Sequence, residues 1–97
     1  MPFVVQYLDR PDTSGLRATF REAHIAYRKS LGRGMLLAGP LLSGDGAPVG
    51  SLVILEAENL AAAQQIANAD PYVAAGVFRE INVYGYRIMA NQLPTSS

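Results

Sequence analysis

Apolar and polar positions along the chain alternate between two periods. Phe3 to Leu8 is a short β-branched and aromatic run, which predicts a first strand. Leu16, Phe20, Ala23, Tyr27 and Leu31 then recur at spacings of three and four, the stripe of a helix, with Gly32 and Gly34 ending it. Arg17, Arg21 and Arg28 fall outside that stripe and are expected in solvent, and Asp12 or Thr13 is expected to cap the helix. Met35 to Leu42 predicts a second strand in which Gly39-Pro40 marks either a bulge or an edge position for Pro40, because proline cannot donate to a ladder. Ser43 to Pro48 is turn chemistry, so strand three, about Val49 to Ala57, should pair with strand two as an antiparallel hairpin. Asn59 caps a second helix, Leu60 to Ala69, stopped by Asp70-Pro71. Pro71 can start a further short helical turn closed by Gly76. Val77 to Met89 predicts the last strand, and Asn91 to Ser97 a loose polar tail.

The order β-α-β-β-α-β predicts an α+β, ferredoxin-like sandwich: one antiparallel sheet with both helices on one face. A single domain over residues 1–90 followed by the tail 91–97 accounts for the chain. The strands do not alternate cleanly. Strand one sets Phe3, Val5 and Tyr7 against Val4, Gln6 and Leu8; strand three sets Ser51, Val53 and Leu55 against Leu52, Ile54 and Glu56. A solvated face should read polar. A homodimer through the open sheet face is therefore expected, twofold symmetry being the commonest solution, and a dimer of dimers is left open.

Composition narrows the partners. The chain has 97 residues, 49% hydrophobic and only 16% charged, with eight basic and eight acidic side chains. That balance favours neither nucleic acid nor an anionic membrane. No cysteine is present, so there is no disulfide and no thiolate nucleophile or metal ligand. The N-terminus shows neither a basic flank nor a long apolar run, and a cytoplasmic protein without a membrane span is expected.

The candidate chemistry rests on few residues. His24, the one histidine, lies at the margin of the helical stripe and should point toward a sheet edge or cleft; a structural histidine bonded to a carbonyl is the plainer alternative. Asp70 reads first as an N-cap, which also keeps a carboxylate ionised and able to orient an imidazole. One histidine and scattered aspartates give no metal spacing, and no cofactor motif is present. Ser51 lacks a nucleophile-elbow context. Tyr72, Tyr84 and Tyr86 suit packing or a pocket wall.

Several segments, taken together, resemble the YciI-like (YCII-related) family: Arg21-Glu-Ala-His24-Ile-Ala-Tyr27, Leu37-Ala-Gly39-Pro40, Gly50-Ser51 and Ala69-Asp70-Pro71-Tyr72-Val73-Ala-Ala-Gly76-Val77. The resemblance runs from about Phe3 to Met89. It implies a dimeric α/β barrel and an active site on a His–Asp pair, here His24 and Asp70, with Gly39, Pro40 and Ser51 near the same cleft; Tyr72 joins them as an expected pocket residue on the chemistry of its ring. The resemblance also implies cofactor-free proton transfer on a small organic molecule, of the lyase, dehydrochlorinase or isomerase kind. Two other readings stand beside it. One is a non-catalytic small-ligand or accessory protein; the other is a cofactor-free monooxygenase of the same general architecture.

Overall fold

The computed structural model describes residues 1–94. Its strands are β1 (Pro2–Asp9), β2 (Met35–Leu42), β3 (Pro48–Glu56) and β4 (Phe78–Gly85). Its helices are α1 (Ser14–Ser30), α2 (Leu60–Asn68) and the one-turn α3 (Pro71–Ala74), and a 3₁₀ turn (Gly32–Gly34) joins α1 to β2. The sheet order is β2-β3-β1-β4 and every pairing is antiparallel. This is the ferredoxin-like α+β arrangement expected from the sequence.

The register explains the core. Phe3, Val5 and Tyr7 stand opposite Leu55, Val53 and Ser51, and these side chains share one face. Phe3, Val5, Tyr7, Val53 and Leu55 are buried there against Ala63 and Ala67 of α2. The small alanines let α2 approach the sheet closely, and Asn59 accepts from Ala62 N at 2.8 Å to cap it. Gly50 is required by packing: a Cβ there would lie 2.1 Å from the carbonyl oxygen of Tyr7. The opposite face carries Val4, Leu52 and Ile54 together with a polar cross-strand pair, in which Asn82 Nδ2 donates to Gln6 Oε1 at 3.1 Å.

Four expectations need correction. The last strand stops at Gly85 rather than Met89, because its partner β1 begins at Pro2 and offers no further ladder once Tyr86 N has donated to Pro2 O. The α1 stripe is only partly covered: no α1 residue is fully buried, and Leu16 and Phe20 remain 37% and 36% exposed, since α1 packs chiefly on the short α3. Neither proposed cap closes α1. Asp12 takes φ +60°, a left-handed turn conformation that aspartate tolerates, while Thr13 turns its hydroxyl to Arg10 O at 3.2 Å. Finally, Arg28 is not solvated. Its side chain is 13% exposed, and that of Arg17 is 33% exposed, because each guanidinium has a carboxylate to meet.

Residues 86–94 form no helix or strand; Tyr86, Ile88 and Leu93 of this segment lie beside Leu36, Leu37 and Ile54. The end of the expected loose tail, residues 95–97, lies outside the described residues. Among the described residues no helix is long and apolar enough to cross a membrane.

Candidate functional site

Three elements place the central side chains. His24 and Arg28 are four apart on α1 and so project from the same side of the helix. Asp70 occupies the break between α2 and α3. It has φ −61° and ψ 127°, the extended geometry that a following proline favours. The chain thus leaves one helix and enters the next with the Asp70 carboxylate folded back over Tyr72 N, which donates to Oδ1 at 3.0 Å.

The break also brings Asp70 to α1. His24 Nδ1 lies 2.9 Å from both carboxylate oxygens, and Arg28 Nε donates to Oδ2 at 2.9 Å. The Asp70 side chain is wholly buried. Burial alone would push its carboxyl up. Hydrogen bonds from His24 and from Tyr72 N, with the charge of Arg28, outweigh that and hold it below its ordinary value. Asp70 is therefore an ionised acceptor at neutral pH. Both its oxygens are occupied, so it has no lone pair directed at a bound molecule.

The consequence falls on His24. An ionised acceptor at Nδ1 requires a proton on that atom, which leaves Nε2 as the basic position of the neutral ring. The His24 side chain is 19% exposed and lines a cavity of about 340 Å³ with Arg17, Arg28, Ala38, Pro40 and Phe78. Tyr72 fixes the ring plane: the two rings stack at 4.0 Å with 12° between them, and Tyr72 OH donates to Arg17 O at 3.1 Å. Arg17 in turn lies over the Tyr72 ring at 5.1 Å and spans both oxygens of Asp9 at 2.7 and 2.9 Å.

Two phenols tie the neighbouring elements together. Tyr7 OH donates to Ala67 O at 2.8 Å and Tyr27 OH to Ile66 O at 2.6 Å, tying the end of α2 to β1 and α1. Burial pushes both phenols up, with Asp70 adding to the effect and Arg28 opposing it, so they stay neutral donors. The Arg28 cation faces the Tyr7 ring at 5.4 Å, and its buried Nη2 has no hydrogen-bond acceptor among the described residues. The ring face partly compensates that orphan donor.

Of the residues singled out in the sequence, Gly39, Pro40, Ser51 and Tyr72 all border the His24 cavity. Ser51 is directed to its neighbour strand, with Oγ 3.5 Å from Gly39 O. Tyr84 and Tyr86 lie elsewhere, exposed on β4 and beyond it. Arg28, Arg17, Gly50 and Phe78 also line the cavity without having been picked out as site residues. For Arg28 a signal existed: it is one turn from His24, and with Arg17 seven residues before His24 the three lie on one helical face. Among the described residues no group of three or more His, Cys, Asp or Glu side chains is placed to hold a metal ion.

Comparison with known proteins agrees with this architecture. The model of the YCII-related domain matches residues 1–87. Protein YciI of Escherichia coli O6:H1 is 42% identical over 96 residues, covering 90% of this chain and 97% of its own length. An uncharacterized protein of Haemophilus influenzae is 37% identical over 95 residues, with the same coverage. Among solved structures, this chain is similar to 5-chloro-2-hydroxyhydroquinone dehydrochlorinase (TftG) from Burkholderia phenoliruptrix AC1100, in complex with 2,5-dihydroxybenzoquinone. The TM-score is 0.81 at 30% identity, over 90% of this chain and 94% of that one. A protein of unknown function from Nitrosomonas europaea shares the fold at a TM-score of 0.55 and 21% identity.

Proposed function

The chain belongs to the YCII-related domain family, and from that premise we propose that it is a cofactor-independent acid/base enzyme acting on a small organic molecule at the His24 cavity. The observation that carries the reading is the buried, fully bonded Asp70 against His24 Nδ1 at 2.9 Å. A carboxylate held this way does nothing for a bound molecule except through the imidazole it orients. His24 Nε2 is then the base, and Asp70 stabilises the imidazolium that forms.

The likeness to a dehydrochlorinase at 30% identity supports an elimination. In such a step on a chlorinated phenol, the chlorine-bearing carbon first gains a proton by tautomerisation to the ketone; Nε2 then takes a phenolic O–H proton, the pair of that bond forms C=O, the displaced ring π pair forms a new C=C to the chlorine-bearing carbon, and chloride departs with its bonding electrons. The cluster suits that bookkeeping of charge. Arg28 balances Asp70, so the imidazolium is the one unbalanced charge beside the anion generated. Tyr72 restricts rotation of the ring, and Gly39, Pro40 and Ser51 supply the opposite wall.

The test is release of chloride from 5-chloro-2-hydroxyhydroquinone by the wild type and by His24→Ala. Loss of about 10²-fold or more in kcat is expected, the usual share of a general base. Undiminished turnover in His24→Ala would refute the reading. Saturable binding with no product by mass spectrometry would favour the alternative, a non-catalytic small-ligand protein.

We further infer that the open sheet face, on which Val4 and Leu52 are only half-buried, is covered by a second copy of the chain, giving the dimeric α/β barrel. Sedimentation equilibrium should return twice the monomer mass, and Leu52→Glu, at a half-buried position of that face, should return the monomer. A monomeric wild type at micromolar concentration contradicts this. The setting remains the cytoplasm, which cell fractionation checks.

A further inference from the structure

A second cavity, of about 830 Å³, lies at the end of the sheet where β1 finishes and β3 begins. It shares Arg17 and Pro48 with the His24 cavity, so the two adjoin. Its charged lining is Asp9, Arg10, Asp12, Arg17, Arg21 and Arg79. Four of the eight basic residues of an electrically neutral chain therefore meet at one place.

The acids there do not balance them. Asp9 is committed to Arg17 through both oxygens. Arg10 Nη1 donates only to a backbone carbonyl, Gly76 O, at 3.3 Å. Among the described residues Arg21 and Arg79 form no ion pair, which leaves three arginines against Asp12. They arrive from three different elements, the β1–α1 loop, α1 and β4, so the concentration is made by the fold and not by one basic run. The start of α1, with no acidic residue in its first turn, adds a potential of the same sign.

We propose that this cavity is a subsite for an anionic oxygen group, a carboxylate or phosphate, carried by the molecule whose reacting part lies against His24. The proposal rests on the acid/base reading of the His24 cavity and gives its substrate a class: a compact ring or enol bearing an anionic substituent. Guanidinium forks match the paired oxygens of such groups. Placed beyond Arg17, the anion fixes which part of the molecule faces Nε2 without entering the cavity where proton transfer occurs.

Binding measurements test this without turnover. Inorganic phosphate is titrated at low ionic strength into ¹⁵N-labelled protein while the amides of Ser14, Gly15, Val49 and Arg79 are followed. Saturable shifts are expected at these positions, several-fold weaker in Arg21→Gln/Arg79→Gln and unchanged in Lys29→Gln/Arg33→Gln, which removes two exposed basic residues elsewhere. In a second arm, 2,5-dihydroxybenzoate is compared with hydroquinone. Two exposed charge contacts correspond to a preference of about tenfold for the carboxylate, collapsing in the double variant. The proposal is overturned if phosphate produces no shifts, if the double variant binds as the wild type does, or if the carboxylated ring has no advantage. Failure of the His24 reading looks different: both arms succeed while no substrate of this class is turned over.

Discussion

Replacing Asp70 by asparagine is the most informative perturbation of the structure. The side chains are nearly isosteric, so packing is preserved. The carboxylate currently accepts from three donors, His24 Nδ1, Arg28 Nε and Tyr72 N. An amide can accept at its oxygen only, so its NH2 must meet at least one donor head-on. Arg28 is left as a charge 13% exposed with no counter-ion in contact. Removing one partner of a buried pair costs about 3–5 kcal/mol. We take about 3 kcal/mol, because Arg28 keeps its contact with the Tyr7 ring. For a domain of about this size that corresponds to a melting temperature roughly 12–24 °C lower. Urea unfolding followed by circular dichroism measures it, with an unchanged m-value as the sign that compactness is the same. The decisive comparison is the double variant Asp70→Asn/Arg28→Met. If the loss comes from an uncompensated cation, removing that cation restores part of it, and the double variant is more stable than Asp70→Asn alone. A single-variant loss below about 1 kcal/mol, or strictly additive losses, would show that Arg28 does not depend on the Asp70 charge.

Further outcomes follow from the same contacts. The Asp70 carboxyl is held below its unfolded value, so its contribution to stability is complete above the unfolded carboxyl pKa, near 4, and disappears as pH falls through the folded value. The urea midpoint of the wild type should therefore drop more steeply on acidification than that of Asp70→Asn/Arg28→Met; parallel curves would count against it. Gly50→Ala should unfold the protein or strip the β1–β3 pairing, since the added Cβ meets Tyr7 O at 2.1 Å, and hydrogen exchange of β1 amides reads the result. Tyr72→Phe keeps the stack on His24 and loses one hydrogen bond, about 1 kcal/mol of stability, whereas Tyr72→Leu loses the stack and should lower kcat with little change in KM.

Much of the fold was legible because its punctuation is chemical. Asp70-Pro71 stops a helix by sterics, Asn59 caps one, and the hairpin from Ser43 to Pro48 has no other good use for its glycines. What local pattern could not give was depth. Leu16 and Phe20 carry the helical period, yet α1 leans on a helix of one turn and leaves them partly exposed. Arg28 carries a charge that reads as solvent-facing, and it is the approach of Asp70, 42 residues away in sequence, that makes its burial tolerable. The strand end at Gly85 depends likewise on where β1 begins, a fact about the partner and not about Tyr86 or Ile88. For the site, His24 and Asp70 were readable as candidates from the residues, a lone histidine at the margin of a helical stripe and a carboxylate at a helix start, and the family resemblance implied their pairing. Their contact is a product of the α2–α3 break, which no spacing encodes.

If Asp70 fixes the His24 tautomer, Nε2 is the free base facing the cavity. The ¹⁵N shifts of the single imidazole, recorded with the ring neutral, test it most directly. A protonated Nδ1 and a bare Nε2 are expected in the wild type, with loss of that preference in Asp70→Asn. A proton on Nε2 in the wild type would contradict it, since the cavity would then face a donor and Asp70 would be a helix cap and nothing more.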